Sequence, residues 1–123
     1  MSGFFGMVRQ DGKAIDERFL RKIAEELSFR GTEGKTVWSQ ANVGGCFAWM
    51  RTGPARQASQ QPVKWEERYW LWGDIRLDGR QELREQLAGD DRTVEVDATS
   101  EELLLRAWEK WGEGSLGRVI GDF

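Results

Sequence analysis

Few groups in this chain are equipped for covalent chemistry. It holds one cysteine, Cys46, and no histidine, so the commonest metal ligand and the usual neutral-pH general base are both missing. A single thiol can neither close an internal disulfide nor build a cysteine metal cluster. Cys46 stands among apolar neighbours in a strand-like run, where a free cysteine behaves as a small hydrophobe; it is expected to be buried and inert. No metal and no cofactor is expected. What the chain has in excess is indole: seven tryptophans in 123 residues, beside plentiful glycine and charge. Trp65, Trp70, Trp72, Trp108 and Trp111 are expected in the core or at a subunit interface.

Bulk properties narrow the function classes. The 18 basic residues are scattered among 21 acidic ones for a net charge of −3, which leaves nucleic acid no electrostatic footprint to grip. No apolar run is long enough to cross a bilayer. The opening Met1-Ser2-Gly3-Phe4-Phe5-Gly6 lacks the charged and apolar regions of a signal peptide, so the protein is expected in the cytosol, away from membranes. The length fits one domain or less.

Any site must be positioned by the elements that the pattern predicts. Residues 4–8 form an apolar run ended by the turn signal Asp11-Gly12 and read as a strand. Phe19, Leu20, Ile23, Ala24 and Leu27 recur at helical spacing behind Asp16, an N-cap, with Ile15 and Leu20 placed as a hydrophobic staple. Residues 36–39 and 43–50 read as two strands about Gln40-Ala41-Asn42, and 68–75 as another, rich in aromatics. Residues 52–62 read as a surface loop. A second helix follows Asp78-Gly79 with Leu83 and Leu87 on one face, and residues 93–96 alternate like a short strand. Thr99-x-x-Glu102 is a capping box for a third helix, with Leu103, Leu104, Ala107, Trp108 and Trp111 inward and Gly112 as its stop. Strands interleaved with helices predict an α/β or α+β domain.

Several segments, in order, resemble the N-terminal domain of asparagine synthetases, a class II glutamine amidotransferase. The opening Met1-Ser2-Gly3-Phe4-Phe5-Gly6 is similar to Met-Cys-Gly-x-x-Gly, Phe29-Arg30-Gly31-Thr32-Glu33-Gly34 to His-Arg-Gly-Pro-Asp-Gly, and Gln60-Gln61-Pro62 to Gln-Gln-Pro. Trp72-Gly73-Asp74-Ile75 resembles Asn-Gly-Glu-Ile, and Arg80-Gln81-Glu82-Leu83-Arg84 resembles Tyr-Arg-Glu-Leu-Arg. The segment from Ser100 to Gly112 resembles the family's Asp-Thr-Glu-Val-Leu-Leu-His-Ala-Tyr-Glu-Glu-Trp-Gly, and Gly121-Asp122-Phe123 its Gly-x-Phe. The fold this implies is α+β, a layered αββα sandwich of the N-terminal-nucleophile hydrolase kind. Residues 1–123 would form a single, partial domain of it. The synthetase domain with its Ser-Gly-Gly-x-Asp-Ser pyrophosphate loop is not in this sequence, which by itself cannot activate a carboxylate with ATP.

The resemblance also assigns a site. The family's nucleophile is the cysteine bared when Met1 is removed, and its own α-amine, titrating near neutrality, is the base. Here that position is Ser2, small enough for Met1 removal but far harder to deprotonate than a thiol. The arginine that grips the glutamine carboxylate by a bidentate pair corresponds to Trp49, although Arg51 could point from the same strand face. The oxyanion hole keeps Gly73 but has Trp72 for its asparagine, a loss that typically costs about 3 to 4 kcal/mol of transition-state stabilisation. Asp74 takes the acidic position after it. The aspartate that holds the substrate ammonium corresponds to Ser100, which on its own reads as a plain helix-start residue. Phe29 replaces the histidine, while Arg30-Gly31 reads as a structural helix exit.

These changes imply a domain without glutaminase, as β-lactam synthetases and lasso-peptide cyclases keep. It would dock to a synthetase domain or a second chain of the same system. An unpaired strand edge also predicts a homo-oligomer. The alternatives are a Ser2-dependent amidohydrolase acting on glutamine or, with the pocket re-cut by Trp49 and Trp72, on an apolar or aromatic amide, and an aromatic-lined site for a peptide or sugar.

Overall fold

The computed structural model describes residues 2–50, 61–89 and 94–122. Within them helices accompany antiparallel strand pairs only, so the protein is α+β. The chain forms two compact units, Met1–Pro62 with Trp72–Asp74, and Val63–Leu71 with Ile75–Phe123.

The first unit is one helix on one sheet. Strands β1 (Gly3–Val8), β2 (Gly34–Gln40) and β3 (Val43–Trp49) pair antiparallel in the order β1-β3-β2. Ala41, with φ 51°, turns β2 into β3. Helix α1 (Glu17–Glu26) starts where Asp16 predicts, its side chain accepting the Arg18 N–H at 2.9 Å. Leu20 and Ala24 bury that helix's apolar stripe, and Ile15 is buried beside its start. The sheet's alternation then divides its residues. Gly44, Cys46 and Ala48 face α1, a Cβ on Gly44 lying only 3.0 Å from Leu20, and Phe5 meets Phe19 edge-on at 6.2 Å. Phe4, Gly6, Gly45, Phe47 and Trp49, with Gly34, Thr36 and Trp38 across the ladder, share the opposite face.

A 3-10 turn (Leu27–Phe29) leads out of α1 into Arg30 and Gly31. The glycine is required by close approach: a Cβ there would lie 2.1 Å from the Ala48 carbonyl carbon and 2.3 Å from the Trp49 nitrogen. Arg30 lays its aliphatic stem beside Gly3 and its guanidinium 5.4 Å from the Phe29 ring centre.

The second unit holds β4 (Val63–Trp65) and β5 (Tyr69–Leu71), a hairpin, and β6 (Arg76–Asp78) paired with β7 (Ile120–Asp122). Glu66 and Glu67 both have positive φ, 48° and 54°, with Arg68 N–H donating to the Trp65 carbonyl at 3.1 Å, the type I′ geometry that matches strand twist. Helices α2 (Arg80–Leu87) and α3 (Ser100–Trp111) complete it. The capping box of α3 is formed in both directions: Glu102 N–H donates to Thr99 Oγ1 at 3.2 Å and Thr99 N–H to Glu102 Oε2 at 2.8 Å. Leu77, Leu83, Leu87, Leu103, Leu104 and Ala107 make the core.

The described elements correct three expectations. Residues 68–75 hold only the short strand β5, because Trp72 to Asp74 leave the hairpin for the first unit. Residues 94–96 are not a strand, and Thr93 lies outside the described residues. Trp108 is 38 % exposed rather than inward, since it stands at the border of the stripe centred on Leu103 and Ala107, while Leu105, which that stripe omits, is buried. Of the predicted loop at 52–62, residues 52–60 lie outside the described residues.

Two outcomes follow for measurement. Thr99→Ala removes one half of the capping box and is expected to lower unfolding free energy by about 1 kcal/mol in urea titration. Cys46 is 3 % exposed and burial pushes its thiol pKa up. A thiol reagent at neutral pH is therefore expected to leave the native chain unlabelled and to add once after denaturation.

Candidate functional site

The face of the first sheet opposite α1 gathers most of the residues singled out above. Ser2, just before β1, is held twice: its N–H donates to Asp74 Oδ2 at 3.0 Å, and its Oγ accepts the Met50 N–H at 3.3 Å. Seventy-two residues separate Ser2 from Asp74 in sequence, so this pairing depends on the return of residues 72–74 to the first unit. Sequence spacing carries no sign of it.

Trp72 packs against glycine. A Cβ on Gly6 would sit 2.6 Å from Trp72 Cζ2, and one on Gly45 3.1 Å from the same ring; Gly6 and Gly45 are cross-strand partners. The indole thus occupies the bare patch that two facing glycines leave on the sheet. Trp38 abuts it, ring centres 6.0 Å apart and tilted by 48°. Trp49 repeats the arrangement one end further along: a Cβ on its partner Gly34 would lie 2.1 Å from the ring, and Phe47 stacks beside it at 6.2 Å and 23°. Thr36, Trp38, Phe47, Pro62 and Trp72 line a shallow, half-open cleft with room for about one water molecule.

Gly73 is clamped. Its N–H donates to Gln61 Oε1 at 2.7 Å and its carbonyl accepts from Gln61 Nε2 at 2.8 Å, both bonds buried. The Gln61 carbonyl in turn accepts the Thr36 hydroxyl at 2.9 Å, which fastens the clamp to β2. Gln61 is a residue whose part the sequence reading missed; the Gln-Gln-Pro likeness marked the position but not its partner.

Of the positions assigned by resemblance, Ser2, Trp49, Trp72, Gly73 and Asp74 therefore belong to one unit. Ser100 belongs to the other, as the first residue of α3, 1 % exposed. Phe29 is exposed at the surface beneath the Arg30 guanidinium. Arg51 lies outside the described residues. Among the described residues no cluster of cysteine and carboxylate could hold a metal ion, and no helix is long and apolar enough to cross a membrane.

Chemically, this face offers a serine oxygen already engaged by a main-chain donor, a carboxylate on the serine nitrogen, and large neutral ring surfaces. It offers main-chain contacts and apolar area more readily than charge recognition. Neither the curated proteins nor the solved structures include a match to the chain. The family model of the glutamine amidotransferase domain, however, matches residues 1–123, and the chain belongs to that family.

Proposed function

We propose that this glutamine amidotransferase domain no longer hydrolyses glutamine and acts as a docking domain for an ATP-dependent, amide-forming synthetase domain of the asparagine synthetase kind, on the same chain or another. The observation that carries the reading is the seat of Trp72. At the position where the resemblance calls for an oxyanion-holding asparagine, an indole covers Gly6 and Gly45, which supplies ring surface where an amide donor is needed. One such donor is typically worth about 10² to 10³ in kcat. Trp49, on Gly34, likewise presents no planar cation to a carboxylate.

A docking role is supported by apolar surface on the same sheet face: Phe4 is 57 % and Val8 64 % exposed, and exposed apolar area of this sort marks contact sites when it is contiguous.

The apolar rings of Trp38, Phe47 and Trp72, in the same unit as Ser2, favour a second reading, a Ser2-dependent amidohydrolase for an apolar or aromatic amide. Retention of Met1 in the purified chain would eliminate it, since the α-amine is then a peptide nitrogen.

Intact mass before and after exposure to an electrophilic glutamine analogue, together with ammonia release from glutamine, tests the main reading. The expected outcome is no adduct and no ammonia above the blank. A single adduct mapping to Ser2, accompanied by ammonia release, would return the domain to the working glutaminases.

A further inference from the structure

One buried amide side chain, that of Gln61, bonds the peptide groups on both sides of Gly73. Gln61 spends its acceptor on the Gly73 N–H and a donor on the Gly73 carbonyl, and its own carbonyl is tied to Thr36 on β2. The residue on one side of Gly73 is Trp72, seated on Gly6 and Gly45; the residue on the other is Asp74, bonded to the Ser2 nitrogen. Rotation about the Gly73 backbone bonds would therefore move the indole and the carboxylate relative to one another. Glycine has the backbone freedom to rotate, so something must hold it.

We infer that Gln61 is the positioning residue of this site: it locks the backbone on both sides of Gly73, thereby holding Asp74 on the Ser2 nitrogen and keeping the Gly73 N–H from any incoming ligand. A ligand can use that N–H only by displacing the Gln61 side chain, and displacement releases Asp74 from Ser2 at the same time. The inference goes beyond the proposed loss of activity and stands or falls without it, because it concerns which group occupies the Gly73 peptide and not whether a substrate turns over.

Single-amide measurements on the whole ¹⁵N-labelled chain test it. In the unsubstituted protein the Gly73 N–H should exchange slowly with solvent. Gln61→Leu keeps bulk but removes both bonds, and is expected to speed Gly73 exchange about a hundredfold while amides of the β2–β3 ladder keep their rates. The Ser2 amide resonance should move in Gln61→Leu in the direction in which it moves in Asp74→Asn, a response that a purely space-filling side chain would not produce. Gln61→Glu supplies the conservative rescue. As a protonated acid it offers one donor and one acceptor, like the amide, so the Gly73 and Ser2 resonances should approach the unsubstituted positions at low pH. They should leave them as the carboxylate forms and faces the Gly73 carbonyl. Equal Gly73 exchange with and without Gln61 would overturn the inference, as would a Ser2 resonance that follows Asp74→Asn but neither Gln61 variant. If the leucine variant does not fold, the titration of the glutamate variant decides the matter alone.

Discussion

Close approach to β3 is the constraint on which the first unit depends. Its backbone is crowded from both sides: Leu20 closes on Gly44, Trp72 on Gly45, and Gly31 on the peptide between Ala48 and Trp49. Each contact works because a side chain is missing at one partner. Interiors are packed so tightly that even a single added methyl group is felt, and here the added atom would meet main chain or the rigid edge of an indole. The helix, the turn leading out of it and the segment at residues 72–74 are thereby indexed to one strand. The position of Ser2 follows, since its oxygen and its nitrogen are held by Met50, just past β3, and by Asp74.

The sequence disclosed the elements whose signals are local. Asp16 and the Thr99 and Glu102 pair lie within a few residues of the helices they start, and both caps form. The β2–β3 hairpin was legible for the same reason. Strands of three residues were not: β4 and β6 are too short to show an alternation, and their pairing with β5 and β7 is decided by distant chain. Trp108 was misplaced because periodicity gives the centre of a helical stripe better than its borders.

The site was legible as a set of names more than as a set of contacts. Likeness to a family put Ser2, Trp49, Trp72, Gly73 and Asp74 on one roster, and the fold brings those five into one unit. It did not foretell that glycines would be the partners of the two indoles, nor that Gln61 would hold Gly73. Both are pairings across the sheet or between segments, invisible to spacing. Arg30-Gly31 looked like a helix exit, which it is, but the reason for its glycine is the strand beneath it.

The indole seat also couples three positions that are far apart in sequence. Because Trp72 covers Gly6 and Gly45, exchanging it for a small polar residue would strip two glycines of a broad neighbour and take from Trp38 a ring that it leans on. Removing a large packed ring leaves a void that the surroundings refill only in part. The identities of residues 6, 45 and 72 are thus bound together, and none of the three can change in size without disturbing the other two.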